Sequence, residues 1–175
     1  MHRSVWLLPL ALFVTTAAHA QESAAPVQKP VRVGITYAFS AYLADNGGNA
    51  PVGFCVSVAS TGPIGFEGEM AYHRDEEEVD SFFYSETWVL HTLTVAAGPR
   101  FTSAGAKDQP FGHILFGMRY DTVEDFDNWA FGGEIGGGID VATGGVFLRL
   151  GADFQIFFDE GENVKTLRLT GGIAF

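Results

Sequence analysis

The sequence predicts an all-β fold, an eight-stranded antiparallel up-and-down transmembrane β-barrel. Three observations carry it. A hydrophobic period of two recurs in eight segments, the apolar face is too bulky to be an interior, and short turns alternate with acidic connections along the chain.

The 175 residues hold 21 Asp or Glu and 10 Lys or Arg, for a net charge of −11 and a pI near 4.7. Charged residues make up 18%, below the roughly 25% of an average soluble domain, while 22 glycines and 16 phenylalanines are generous. This balance argues against disorder. With no basic stripe, nucleic acid is not an expected partner, because phosphate binding needs clustered Lys and Arg.

The N-terminus reads as a secretory signal peptide over 1–20: basic Arg3, an apolar run from Val5 to Val14, and Ala18-His19-Ala20 as a small-x-small cleavage site. That run is shorter than the about 20 residues a spanning helix needs, and no Cys stands at the cleavage point to take a lipid anchor. Residues 21–30 (QESAAPVQKP) form a polar, flexible lead-in, and the barrel is expected over 31–175. Cys55 is the one cysteine, so no intramolecular disulfide can form, and the residue fits a small buried position on a strand.

From Val31 to Phe39 the odd positions are Val, Val, Ile, Tyr and Phe, and the even ones Arg, Gly, Thr and Ala. The second strand sets Val52, Phe54, Val56 and Val58 against Gly53, Cys55, Ser57 and Ala59. The third sets Ile64, Phe66, Met70 and Tyr72 against Glu67, Glu69, Ala71 and His73. In the fourth, Leu93, Val95, Ala97 and Phe101 oppose Thr92, Thr94, Ala96 and Arg100, with His91 on the apolar face. The fifth sets Ile114, Phe116, Met118 and Tyr120 against His113, Leu115, Gly117 and Arg119. The sixth sets Trp129, Phe131, Ile135 and Ile139 against Ala130, Gly132, Glu134, Gly136, Gly138 and Asp140. The seventh runs from Val146 to Phe158 with Arg149, Gly151, Asp153 and Gln155 on the other face. The eighth sets Leu167, Leu169, Ile173 and Phe175 against Arg168, Thr170, Gly172 and Ala174. Each segment is about 9 to 14 residues, which suits a tilted strand crossing a bilayer.

Alternation leaves open which face looks inward. With the bulky face inside, the protein would be a soluble lipocalin-like carrier. The other face, however, is mostly Gly, Ala, Ser and Thr, too poor in charge for a solvated surface. An eight-stranded interior is also too narrow for so many large side chains. The apolar face therefore points out, and a closed barrel is the one sheet that leaves no unpaired edge in hydrocarbon.

Short turns are expected at Thr61–Pro63 and Ala142–Gly145, with a third connection at Thr102–Gln109. The acidic connections Leu43–Pro51, Asp75–Thr87, Asp121–Asn128 and Asp159–Asn163 hold 14 of the 21 acidic residues. An even strand number puts all four at one end of the barrel, read as extracellular, and both chain termini at the other, read as periplasmic. Tyr42, Tyr72, Tyr120, Trp129 and Phe158 are expected as an aromatic girdle at the first end, Phe101 and Phe175 at the second.

Several fragments resemble a known group: Gly98–Phe101, Pro110–Gly117, Gly132–Asp140, Leu148–Asp153 and Leu167–Phe175. In order and spacing they are similar to the small eight-stranded outer-membrane barrels of the OmpA-like transmembrane domain and porin family of Gram-negative bacteria. The resemblance covers the second half of the barrel and implies an outer-membrane location. It also implies that the alternating C-terminal residues Leu169, Ile173 and Phe175 serve as a signal to the barrel assembly machinery. The chain ends with strand eight, so no peptidoglycan-binding domain and no wall-anchoring role are carried over.

Arg32, Glu67, Glu69, His113, Arg119, Glu134, Arg149, Asp153 and Arg168 all fall on the inward face and are expected to form a salt-bridged plug, since buried charges must be paired. The alternative is a narrow path for protons, ions or small solutes along the same groups; a wide pore is disfavoured by the strand number. A lipid A-modifying enzyme is the other alternative: His73 and His91 lie near the outer rim and Ser81 and Ser85 in the second loop, but no His-x-Ser or Gly-x-Ser-x-Gly motif occurs. No catalysis, cofactor or specific metal site is therefore expected. Asp75–Glu78 with Asp80, and Asp121–Asp127, lack the D-x-D-x-D-G pattern of a calcium loop; they suit a hydrated rim, with divalent cations as possible weak bridges to surface lipid. Phe82-Phe83-Tyr84 stands out in the longest loop as a candidate surface contact. The expected protein is a monomeric outer-membrane barrel, structural or interactive at the cell surface, with outer-membrane lipid as its main partner.

Overall fold

The structure, a computed structural model, describes residues 31–43, 51–80, 85–103, 107–123, 126–158 and 163–175. The leader and lead-in read from the sequence, and Phe82 to Tyr84, lie outside these residues. Eight strands follow one another: β1 (Val31–Tyr42), β2 (Val52–Ser60), β3 (Ile64–Asp80), β4 (Ser85–Thr102), β5 (Asp108–Val123), β6 (Phe126–Thr143), β7 (Val146–Phe158) and β8 (Asn163–Ala174). Each pairs antiparallel with the next, and β8 pairs back onto β1, so the sheet is closed in the order β1 to β8. The seam runs from Gly34↔Ala174 to Tyr42↔Thr166. Reciprocal backbone bonds between Val33 and Phe175 (2.9 and 2.8 Å) extend it. Closure removes the unpaired edge that an open sheet would expose.

The side-chain period of two makes the wall two-faced. Phe116, Phe131, Phe66, Tyr37 and Ile135 are exposed on the outer face, whereas Arg100, Arg168, Asp140, Glu67 and Glu134 are buried on the inner one. The bulky face is thus outside, and the lipocalin-like arrangement does not occur. Such a belt of bare aromatic and aliphatic side chains is compatible with hydrocarbon rather than water. Leu169, Ile173 and Phe175 belong to this outer surface.

The end holding both termini also carries the tight connections. Between β6 and β7 the reversal takes only Gly144 (φ 56°) and Gly145 (φ 100°), with Thr143↔Val146 as the last pair. Two successive positive φ values define the hairpin turn whose twist matches the strands, and only residues without a Cβ adopt them freely.

Four expectations need correction. Strands β3 to β6 run to 16–18 residues, beyond the expected 9 to 14. The ladder β3·β4 continues to Asp80↔Ser85 and β5·β6 to Val123↔Phe126, so most of what the sequence assigns to acidic loops at 75–87 and 121–128 is paired strand. Acidic residues there interrupt the apolar alternation by which a strand is read, while the backbone pairing continues through them. The connection expected at Thr102–Gln109 is likewise shorter, because β5 begins at Asp108. Finally, Tyr42 does not join the outer girdle. It shares the inward parity of Arg32 and Ser40 on β1, and its hydroxyl accepts a hydrogen bond from Arg119 Nη2 at 3.1 Å.

Candidate functional site

The inward face is narrow, and glycine makes room on it. A Cβ at Gly34 would stand 2.7 Å from Ser57 Oγ and 2.8 Å from Arg149 Nη1, so the long Arg149 side chain fits because β1 offers no side chain there. Around such gaps the buried charges form two joined clusters.

The first lies toward the end with the chain termini and centres on Asp140 of β6. Asp140 Oδ2 accepts from Arg32 Nη1 (2.8 Å), Arg149 Nη2 (2.9 Å) and Arg100 Nη2 (3.2 Å), while its Oδ1 accepts from Arg149 Nε (2.8 Å). Glu67 of β3 shares the same cations, with Oε2 2.8 Å from Arg100 Nη1 and Oε1 3.4 Å from Arg149 Nη1. Gln109 takes a hydrogen bond from Arg32 at 3.0 Å and Ser57 one from Arg149 at 2.7 Å. The guanidinium planes also rest on aromatic faces: Arg32 is 3.6 Å from the Phe147 ring centre, and Arg100 is 3.7 Å from that of Phe111.

The second cluster surrounds Arg168 of β8, which is fully buried. Its Nη2 reaches Asp153 Oδ2 (2.9 Å) and Glu134 Oε2 (3.1 Å), its Nε reaches Asp153 Oδ2 (3.1 Å), and its Nη1 is paired with Glu69. Gln155 donates to Glu134 at 2.6 Å.

His113 joins the two. Its Nδ1 lies 2.9 Å from Glu67 Oε2 and its Nε2 2.9 Å from Asp153 Oδ1. In an eight-stranded ring β3 and β7 are diametrically opposed, so Glu67, His113 and Asp153 make a bar across the lumen. The void left beside it, lined in part by Cys55, Glu69, Arg149 and Thr170, measures about 10 Å³. That is space for about one water.

A third, smaller set sits nearer the other mouth. Arg119 Nε contacts both oxygens of Asp121 (2.9 and 2.7 Å), and Thr92 donates to Asp121 at 2.5 Å. Leu115 and Phe157, both buried, stand on the inward face between this set and the second cluster in strand order.

All nine residues proposed from sequence for the interior network are therefore buried and in polar contact, eight of them in the two joined clusters and Arg119 in the mouth set. The sequence reading omitted Arg100 and Asp140, although the alternation had put both on the inward face. Asp140 is the most connected acid of the first cluster: Arg149 is its register partner on the neighbouring β7, while Arg32 of β1 and Arg100 of β4 reach it across the lumen.

The two histidines considered for catalysis lie on opposite sides of the wall. His73 is buried inside, 3.1 Å from Ser40 Oγ, while His91 is on the outer side with Nδ1 2.7 Å from the Tyr72 hydroxyl. The Ser40–His73 distance is that of a nucleophile and base, but both side chains are sealed within the barrel, away from the surface that lipid would touch. Among the described residues no group of three or more His, Cys, Asp or Glu is arranged to hold a metal.

A closed ring of eight antiparallel strands, charged inside and apolar outside, is the fold of the small outer-membrane β-barrels. Solved structures agree. The chain is similar to Ail, the attachment invasion locus protein of Yersinia pestis, in complex with the heparin analogue sucrose octasulfate, at a TM-score of 0.57 and 19% identity over 83% of this chain and 97% of that one. It is also similar to Neisserial surface protein A, at a TM-score of 0.65 and 13% identity over 83% and 96% of the two chains. Neither a family model nor a curated protein sequence matches the chain.

Proposed function

We propose that this protein is an outer-membrane barrel with a sealed interior, whose role is structural or interactive at the cell surface and not catalytic. The observation supporting this is the pairing of an apolar outer belt with an interior spanned by ion pairs, where the void beside His113 holds about 10 Å³. On this reading the leader at 1–20 directs export, the termini face the periplasm, and Leu169, Ile173 and Phe175 present the assembly signal. The barrel stands as a monomer in lipid. The acidic residues beyond the belt keep the rim hydrated, and divalent cations bridge them weakly to surface lipid. Phe82, Phe83 and Tyr84, which fall between β3 and β4 in the sequence, offer the surface contact. The acidity of this end disfavours a polyanionic ligand such as the heparin analogue bound by Ail.

The test is heat-modifiability of the protein in an outer-membrane fraction. A closed lipid-facing barrel resists SDS until boiled, so unheated and boiled samples should migrate differently. A soluble periplasmic protein with no shift would overturn the proposal. Loss of surface adhesion on deleting 82–84, with the shift retained, would support the aromatic contact; unchanged adhesion would end it.

A further inference from the structure

The arrangement of charge inside the barrel leads to one step more, which rests on the sealed-interior reading above. Around Asp140 and Glu67, three arginines (Arg32, Arg100 and Arg149) face two carboxylates. Around Arg168, one arginine faces three: Glu69, Glu134 and Asp153. Without His113 the two clusters together carry one negative charge too many. His113 from β5 contacts one carboxylate of each cluster, and both of its nitrogens meet a carboxylate oxygen at the same 2.9 Å. A carboxylate only accepts, so both ring nitrogens are satisfied together only when both donate.

We infer that His113 is the closing cation of the seal: as an imidazolium it makes the joined clusters neutral and bars the lumen between β3 and β7, so that a barrel deprived of that charge leaks monovalent cations. Two consequences of its loss act in the same direction. The bar from Glu67 to Asp153 is interrupted beside an existing void lined by Glu67, Glu69 and Asp153. The surplus charge left there is negative, which attracts cations and repels anions. Arg149 and Arg100 flank Glu67, and Arg168 flanks Asp153, but each is already engaged with acids of its own cluster. None is left over to take the place of the imidazolium.

The experiment is conductance of the whole protein in planar bilayers of neutral lipid with a potassium chloride gradient, comparing wild type, His113→Gln, and the double variant His113→Gln/Glu67→Gln. The wild type should be silent; a wild type that conducts would sink the sealed-interior reading itself, independently of His113. His113→Gln should show openings whose reversal potential is cation-selective. The double variant, which removes one acid along with the cation, should fall back at least tenfold toward silence. A role of mere space-filling would leave it leaking as much as the single variant. A folded His113→Gln barrel that stays silent overturns the inference. Should His113→Gln not fold, the decision passes to nitrogen-15 spectra of the imidazole in the wild-type barrel at neutral pH. Two protonated nitrogens support the inference and one protonated nitrogen overturns it.

Discussion

Two ion pairs on the same wall show how little contact distance says about importance. Arg74 Nη2 and Glu76 Oε1 on the outer side of β3 are 2.6 Å apart, yet both side chains are 53% exposed. Arg168 Nη2 and Glu134 Oε2 inside the barrel are 3.1 Å apart and both wholly buried. The shorter contact is the weaker one. In water each charge of the outer pair keeps most of its solvation whether or not the partner is present, and such pairs contribute about 0–1 kcal/mol. Inside, neither charge has water to fall back on, so each is tolerable only because the other is there. The inner network is therefore strongly destabilising to break, though not strongly stabilising to own: an apolar filling of equal volume could do as well. What the charged filling supplies is a lumen crossed by directional contacts between opposed strands.

This contrast can be broken or sharpened by substitution, measured as urea unfolding in lipid vesicles. Replacing Arg168 by Met should have the largest effect, about 3–5 kcal/mol, because Glu69, Glu134 and Asp153 lose their shared guanidinium together. An unchanged midpoint would mean that the interior is wet. Putting a charge on the outer belt at the middle of β6, as in Ile135→Arg, should cost about 2–4 kcal/mol, the loss expected of a cation at mid-bilayer depth. The same variant should lose less in detergent than in vesicles, and an equal loss in both would contradict the outward assignment. Gly34→Ala should cost about 1–3 kcal/mol by crowding Ser57 and Arg149. Its partner test is Gly34→Ala with Ser57→Ala, which should recover part of the loss. Arg74→Gln should change stability by less than about 0.5 kcal/mol, and salt should not alter that result. A loss comparable to that of Arg168→Met would erase the distinction between the two faces.

Much of this architecture was legible because lipid and lumen impose opposite chemistry on alternate residues. The eight segments, their direction and the inward placement of Arg32, Glu67 and Arg149 all follow from that one constraint. Where the constraint stops, legibility stops too. Residues 75–80 and 121–123 look like loop because they are acidic, but the ladder carries on through them. Tyr42 looks like girdle because it is aromatic, yet its parity on β1 points it at Arg119. The clusters themselves could not be read from the strands one at a time. Asp140 becomes a hub only when the closed ring brings Arg32 of β1 and Arg100 of β4 to β6, and His113 a bar only when β3 is set opposite β7. Ser40 and His73, 33 positions apart, meet because β1 and β3 flank β2 on the curved inner face.

Cys55 gives the most direct test of the sealed interior. It is buried on the inward face of β2 and lines the void beside His113. In the folded barrel in vesicles, a small charged thiol reagent added to either side should leave Cys55 unmodified for hours, and boiling in SDS should make it react at once. Prompt modification of the folded barrel would show an interior open to water and would contradict the seal.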